Sequence, residues 1–287
     1  MERMKLLRIS KNRLALCSSI LLLALSLTSV RAQRTQTRQF PFPAGEELTY
    51  KAELSRSLLR GVDVAEFRFT VTEDRITPAG APKDDPVQII KFTGDVASNG
   101  FFVKLFGLKF HEHVDSKVDE SRFTLLQTTK VEEQNKRARS SEAIFDYNTH
   151  KVTWTERDQN NPTQPPRVAT AEFTEPIHDV LSGIYFIRTQ HLEVGKSIEV
   201  ELSDSGRVFR LPVAVVERKR IKSSLGYLYA LRVEPALFGD RGMVKDEGRF
   251  SIWLTDDDRH IPLRAQVKVP SGTFDIKLKR VTYQNPH

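Results

Sequence analysis

Three groupings in this chain hold residue types that could do chemistry. The first is Asp256-Asp257-Asp258-Arg259-His260, inside the run SIWLTDDDRHIPLRAQVKV at 251–269. Crowded carboxylates could hold a divalent cation or share a proton, with the histidine as a base. An EF-hand loop, however, needs glycine at its sixth position and glutamate at its twelfth. Counted from Asp256 these places hold Ile261 and Val267, and a start at Asp257 or Asp258 does no better. The flanks alternate instead, with Ile252 and Leu254 before the aspartates and Ile261, Leu263, Ala265, Val267 and Val269 after them. That pattern predicts a β-hairpin whose turn aspartates bond nearby backbone amides.

The second grouping is His111-Glu112-His113. On a strand the two histidines share a face, which supplies half a zinc site, with Asp115 the nearest third ligand. The plainer reading is a polar face opposite Phe110 and Val114. The third is Ser182 in DVLSGI, which lacks the first glycine of a nucleophile elbow and sits in a helical pattern. The chain also has no phosphate-cradling glycine loop and no dinucleotide fingerprint. The expectation is therefore no catalytic residue, no bound metal and no cofactor, and a protein that is not an enzyme.

The elements that would position such residues are mostly strands. ELTYKAEL, GVDVAEFRFTVTE and VQIIKFTGDV alternate, with one irregular step at Ala65–Glu66, and RITPAGAPKDDP between the last two reads as a loop. NGFFVKLFGLKF suits helix or strand equally. FTLLQTTKVEEQ reads as a strand, EAIFDYNTHKVTWTE as a hairpin turning at Asn148–Thr149, and RDQNNPTQPPR as a linker or surface loop. EPIHDVLSGIYFIRTQHL repeats apolar residues every three and four positions and predicts the principal helix, starting at Pro176. RVFRLPVAVVERKRI, YLYALRVEP and TFDIKLKRVTY return to strand. The predicted architecture is mostly β: a strongly curved antiparallel sheet or open half-barrel with one principal helix packed on it.

The first 32 residues stand apart. Arg3, Lys5, Arg8, Lys11 and Arg13 precede the apolar run LALCSSILLLALSLTSV, and Val30 and Ala32 occupy the small-residue places of a cleavage site. This is the pattern of a bacterial Sec-type signal peptide cut after Ala32, leaving no transmembrane segment; a retained anchor is the alternative. Residues 33–39 read as a flexible leader, and 40–283 as a single β-rich domain. The cut chain holds 38 basic and 36 acidic residues, a net +2 in place of +7, so the basic balance gives no argument for nucleic acid. It also loses Cys17, the one cysteine, and with it any disulfide, thiolate ligand or cysteine nucleophile. The expected location is periplasmic or secreted.

Three stretches, FPAGEELTYKAEL, DVLSGIYFIRTQHLEVGKSIEV and FSIWLTDDDRHIPLRAQVKVPSGTFDIKL, together resemble the bacterial exported family called domain of unknown function 3108, over about residues 40–283. SRSLLRG departs from the short glycine-containing turn usual there. More distantly, the hairpin with Trp253, Pro262 and Arg264 is similar to the periplasmic lipoprotein carriers, whose bent antiparallel sheet forms a half-barrel around acyl chains. The resemblance brings no catalytic residues. The family implies no established activity; export, a phenylalanine-rich β composition and the carrier-like hairpin lead to the expectation of a non-catalytic binding or carrier protein for a lipid or other hydrophobic envelope molecule, with Phe67, Phe69, Phe101, Phe106 and Trp253 as candidate lining residues and NGFFVKLFG as a lid. An envelope scaffold or partner-binding module with a filled core is the second reading, and a hydrolase using His111, His113 or an acidic pair the third.

Overall fold

The computed structural model describes residues 40–56, 59–77, 86–174, 176–239 and 242–284. The signal peptide and leader expected at 1–32 and 33–39 lie outside these residues, as does most of the loop expected at 75–86. In chain order the elements are β1 (Glu46–Arg56), β2 (Leu59–Ile76), β3 (Val87–Ser98), α1 (Gly100–Phe106), β4 (Phe110–Asp119), β5 (Thr124–Gln134), β6 (Arg137–Asp146), β7 (Lys151–Asp158) and β8 (Arg167–Glu172). They continue with β9 (Ile177–His178), α2 (Val180–Arg188), β10 (Ser197–Asp204), β11 (Arg207–Ser223), β12 (Gly226–Pro235), β13 (Arg249–Thr255), β14 (Pro262–Val269) and β15 (Gly272–Tyr283).

The strands make one unclosed sheet in the order β8-β7-β6-β5-β4-β3-β2-β1-β15-β14-β13-β12-β11-β10-β9. Short connections make consecutive strands neighbours, so the sheet is two antiparallel meanders joined where β1 pairs with β15. Among the named strands of the described residues, only the short β9 runs parallel to its neighbour, β10. The edge strands β8 and β9 follow one another in sequence, so the chain steps from one end of the sheet to the other at 173–176. Those ends face each other. A Cβ on Gly206, in the β10–β11 turn, would stand 2.6 Å from the Ala169 Cβ of β8, and the Thr174 amide donates to Glu201 Oε1 at 2.7 Å. This is the strongly curved, open sheet that the sequence predicts.

The irregular step in β2 is a bulge. Ala52 faces Ala65 while Glu53 faces Asp63, which leaves Val64 as an extra residue, and both Val64 and Ala65 are buried. NGFFVKLFGLKF divides into α1 and the first residue of β4. The principal helix is shorter than its apolar periodicity, because Asp179 ends the extended chain. At φ −91° and ψ −178°, its carboxylate accepts from the Ser182 amide at 2.7 Å and the Ser182 hydroxyl at 2.8 Å. The Asp179 amide in turn donates to Ser182 Oγ at 3.0 Å, closing a capping box. Such a cap contributes about 1 kcal/mol. The residues before it, Ile177 and His178, are captured by β10 as a strand.

Helix α2 bridges the two halves from the concave side. Leu181 and Tyr185 pack with Phe42, Phe92 and Phe123, the Tyr185 and Phe92 rings stacking 4.1 Å apart, while Ile187 packs with Val200, Leu211, Val213 and Ile252. Gly183 permits the close approach, since a Cβ there would meet Leu202 Cδ2 at 2.8 Å. At the helix end, the fully buried Arg188 guanidinium grips Glu46 of β1 in a fork, at 2.6 and 3.0 Å. Arg188 also donates through Nε to the Arg259 carbonyl at 3.1 Å and lies 5.1 Å from the Phe42 and Tyr185 ring centres. One side chain thus ties the helix to β1 and to the β13–β14 turn.

Candidate functional site

The concave face holds an open cavity of about 390 Å³. Its walls follow from register. Tyr50 of β1 stands opposite Phe67, and Phe67 opposite Val96, so the same face continues across β1, β2 and β3. From the other half, Ile276 stands opposite Ala265, and Ala265 opposite Ile252, extending that face across β15, β14 and β13. Leu181 and Ile184 of α2 line it from the helix. At Gly94 the missing Cβ lets Leu181 Cδ2 and the Phe69 ring close on β3, where a Cβ would find them at 3.3 and 3.4 Å.

A polar zone crosses β4 to β7 on this face. Glu112 is opposite Glu132, Lys130 opposite Ser141, and Ser141 opposite Glu156, all lining the cavity. Lys130 Nζ lies 3.2 Å from Glu112 and 3.5 Å from Glu132. Burial alone would lower the ammonium pKa, but Glu112 and Glu132, with a smaller contribution from Asp204, outweigh it and raise it. Glu156 is held by Arg139 at 3.3 Å and Arg167 at 3.0 Å. Asp179, at the helix start, accepts from Ser116 Oγ at 2.6 Å and Thr128 Oγ1 at 2.5 Å, which ties α2 to β4 and β5. The result is an apolar chamber with a band of polar groups across β4 to β7, and Arg264 of β14 also lines it.

Of the residues expected to line a cavity, the structure brings Phe67 and Phe69 together there, their rings 6.3 Å apart. Trp253 does not line it. Period-two alternation turns Phe250 and Ile252 of β13 inward, and the Arg264 guanidinium sits 5.0 Å from the indole of Trp253. Phe106 is also outside the cavity, 44% exposed at the end of α1 with its ring 4.7 Å from Phe102. Phe101 belongs to α1, and its side chain lies outside the described residues. Sequence reading missed Tyr50, Asp179 and Lys130. An aspartate three residues before Ser182 is the signal that could have found Asp179, whereas for Lys130 only Glu132, two residues on in the same strand, is a local partner and Glu112 is set by register.

The other groupings have structural partners. The three aspartates lie in the β13–β14 turn, where Asp257 accepts from Thr255 Oγ1 at 2.5 Å and Arg259 NH2 at 2.8 Å, and Asp256 pairs with Arg218 at 2.5 Å. His113 Nδ1 is 2.7 Å from Asp95 Oδ1, on the face of β4 opposite Glu112 and Val114, and that hydrogen bond raises the histidine pKa. Ser182 is the partner of Asp179 in the helix cap. Among the described residues no three or more His, Cys, Asp or Glu side chains are arranged to hold a metal ion. No helix among them is long and apolar enough to cross a membrane.

No curated protein matches this chain. Among solved structures it is similar to a β-barrel-like protein of domain of unknown function DUF1849 from Brucella abortus, at 10% identity and a TM-score of 0.48, covering 84% of this chain and 98% of that one. It is similar also to a protein with a YmcC-like fold from Bacteroides fragilis, at 8% identity and a TM-score of 0.35, covering 85% of this chain and 98% of that one. The family of proteins of unknown function DUF3108 matches residues 47–279, from the start of β1 into β15, and the chain belongs to that family.

Proposed function

We propose that this is an exported, non-catalytic binding or carrier protein whose cavity takes a lipid or another hydrophobic envelope molecule. The cavity supports this reading. Its volume, about 390 Å³, falls in the range of small-molecule sites, and its apolar walls with a band of polar groups match how such sites orient a ligand. An apolar tail runs along Phe67, Phe69, Val96 and Ile276. The polar end of the ligand meets Lys130, Ser141 and their carboxylate neighbours, which both donate and accept hydrogen bonds. Phe102 shares an apolar cluster with Phe67, Val96 and Ile276, so α1 covers the apolar end as a cap.

The test is mass spectrometry of organic extracts from the protein, purified without detergent from its own cells beside a similarly handled control protein. The expected result is one apolar or amphiphilic molecule at near-stoichiometric amount, depleted in an Ala265→Phe variant that places a ring in the cavity. Absence of any such molecule, together with failure of a hydrophobic fluorescent probe to bind the folded protein, overturns the reading and leaves a scaffold with an unused interior.

A further inference from the structure

The ladder pattern leaves one part of the sheet unsupported. The backbone bonds of β11 to the β10 side end at Val215, which pairs with Lys196 and Gly195, and those of β12 to the β13 side end at Tyr229, whose carbonyl accepts from the Asp256 amide. Beyond those residues β11 and β12 pair only with each other, through Ser223 and Gly226 at the turn, as a two-stranded ribbon that outruns its neighbours. One face of the ribbon is anchored: Ile221 and Leu228 join the apolar cluster of Leu48, Tyr50, Ile261 and Leu263.

Its other face is exposed and has a definite chemistry. Tyr227 is 64% exposed, Tyr229 50% and the turn residue Leu225 42%. Diagonal cross-strand pairing sets the Arg218 guanidinium 4.0 Å from the Tyr229 ring centre and that of Arg220 5.7 Å from Tyr227. Lys222 stands directly opposite Tyr227. Arg218 is paired with Asp256 of the β13–β14 turn at 2.5 Å, whereas Arg220 and Lys222 form no ion pair among the described residues, and the ribbon's one carboxylate, Glu217, is occupied by Arg232 at 2.7 Å. The face is therefore net cationic, although the chain after Ala32 is nearly balanced at 38 basic and 36 acidic residues.

An exposed two-stranded face cannot enclose a small ligand, but it can enter a surface. Tyrosines and a leucine among arginines and lysines are the residues that settle at the boundary between lipid headgroups and acyl chains, with the cations on lipid phosphates. We propose that the β11–β12 ribbon docks this protein on an anionic lipid bilayer, with Leu225, Tyr227 and Tyr229 entering the headgroup layer and Arg220 and Lys222 binding phosphates. Charge complementarity selects an anionic surface, and the exposed leucine at the tip selects a bilayer over a soluble polyanion. The proposal stands whether or not the cavity holds an apolar molecule.

The experiment is flotation of the purified protein with phosphatidylcholine vesicles, with and without phosphatidylglycerol, at low and high salt. Two variants are compared, Arg220→Gln/Lys222→Gln and Leu225→Ser/Tyr227→Ser/Tyr229→Ser, both with the wild-type N-terminus so that any contribution of residues 1–32 is common to all. These side chains are exposed, and unchanged circular dichroism and melting verify folding. Wild type is expected to float with anionic vesicles only and to be released by salt. Each cation near such a surface strengthens binding roughly fivefold, so the charge variant weakens roughly twenty-five-fold. The aromatic variant loses binding even at low salt. Equal binding to neutral vesicles, wild-type binding by either variant, or capture by heparin without vesicle flotation overturns the proposal.

Discussion

Replacing Glu46 by Gln strands a cation in the core. Arg188 and Glu46 have side-chain exposures of 0% and 1%, and their two contacts at 2.6 and 3.0 Å use both carboxylate oxygens. Burial opposes the guanidinium charge, and Glu46 more than restores it, so the Arg188 pKa is raised; removal of the carboxylate leaves only the opposing effect. Breaking one side of a buried pair costs about 3–5 kcal/mol. In a domain of this size each kcal/mol is worth roughly 2–4 °C of Tm, so the variant should melt roughly 6–20 °C lower. Arg188→Met strands the carboxylate and also the Arg259 carbonyl, and should cost a similar amount. The double variant Glu46→Leu/Arg188→Met leaves no buried charge and should lose less than either single change. Urea unfolding followed by Trp154 and Trp253 fluorescence and by circular dichroism measures all four corners of the cycle, provided the two probes coincide. Singles that lose under about 1 kcal/mol, or a double that equals their sum, would refute the claim that this pair holds α2 to β1.

Two histidines should give stability slopes of opposite sign. His178 is buried with neither ring nitrogen bonded, and burial lowers its pKa to about 3. Unfolded histidine takes a proton near pH 6.5, so as pH falls below that value the unfolded chain gains a proton that the fold refuses, and stability is lost down to the folded pKa. Between about pH 6 and 4.5 this amounts to about 2 kcal/mol, which His178→Leu should abolish in urea melts. His113 is the reverse case. Its pKa is raised, chiefly by Asp95, so its contribution is complete below the unfolded value and disappears as pH rises through the folded one. His113→Gln should therefore destabilise at mildly acidic pH and be neutral at alkaline pH; an equal effect at both would exclude the ion pair as its source. Gly206→Ala should cost roughly 2–3 kcal/mol, because φ is +73° and Ala169 is already 2.6 Å from the new Cβ. Gly195→Ala, at φ +87° with nothing within 4 Å, bears the backbone strain alone, and an equal loss in the two would disprove packing between the ends of the sheet.

Much of the fold was readable because period-two alternation is a local signal. The hairpin at 251–269 could be read from Ile252, Leu254 and Ile261 to Val269 because the sheet buries one face and every second residue must be apolar. The bulge at Val64 left a mark of the same kind, a single broken step. The helix was over-read for an equally physical reason. Ile177 continues the apolar stripe of α2, yet it forms β9 with Glu201, because the Asp179 cap stops helical propagation and an open sheet edge lies beside it. Apolar spacing alone cannot separate a helical turn from a strand that tertiary pairing claims.

The site was legible only where it obeyed the same alternation. Phe67 and Phe69 fall on the inward face of β2, and their place in the cavity follows from that phase. Trp253 is one residue out of phase with Ile252, so the indole does not line the chamber and packs against Arg264, which does. The polar band across β4 to β7 is invisible in one dimension. Lys130 and Glu132 share a face of β5, but Glu112 reaches them only because β4 and β5 pair as they do. Arg188 is the intermediate case, since a lone arginine three residues past Tyr185 on an apolar stripe already demands a buried acid, though nothing in the sequence names Glu46. A functional reading of this family should therefore start from register. The residues that distinguish a chamber with a polar end from a plain core are those whose partners lie strands away.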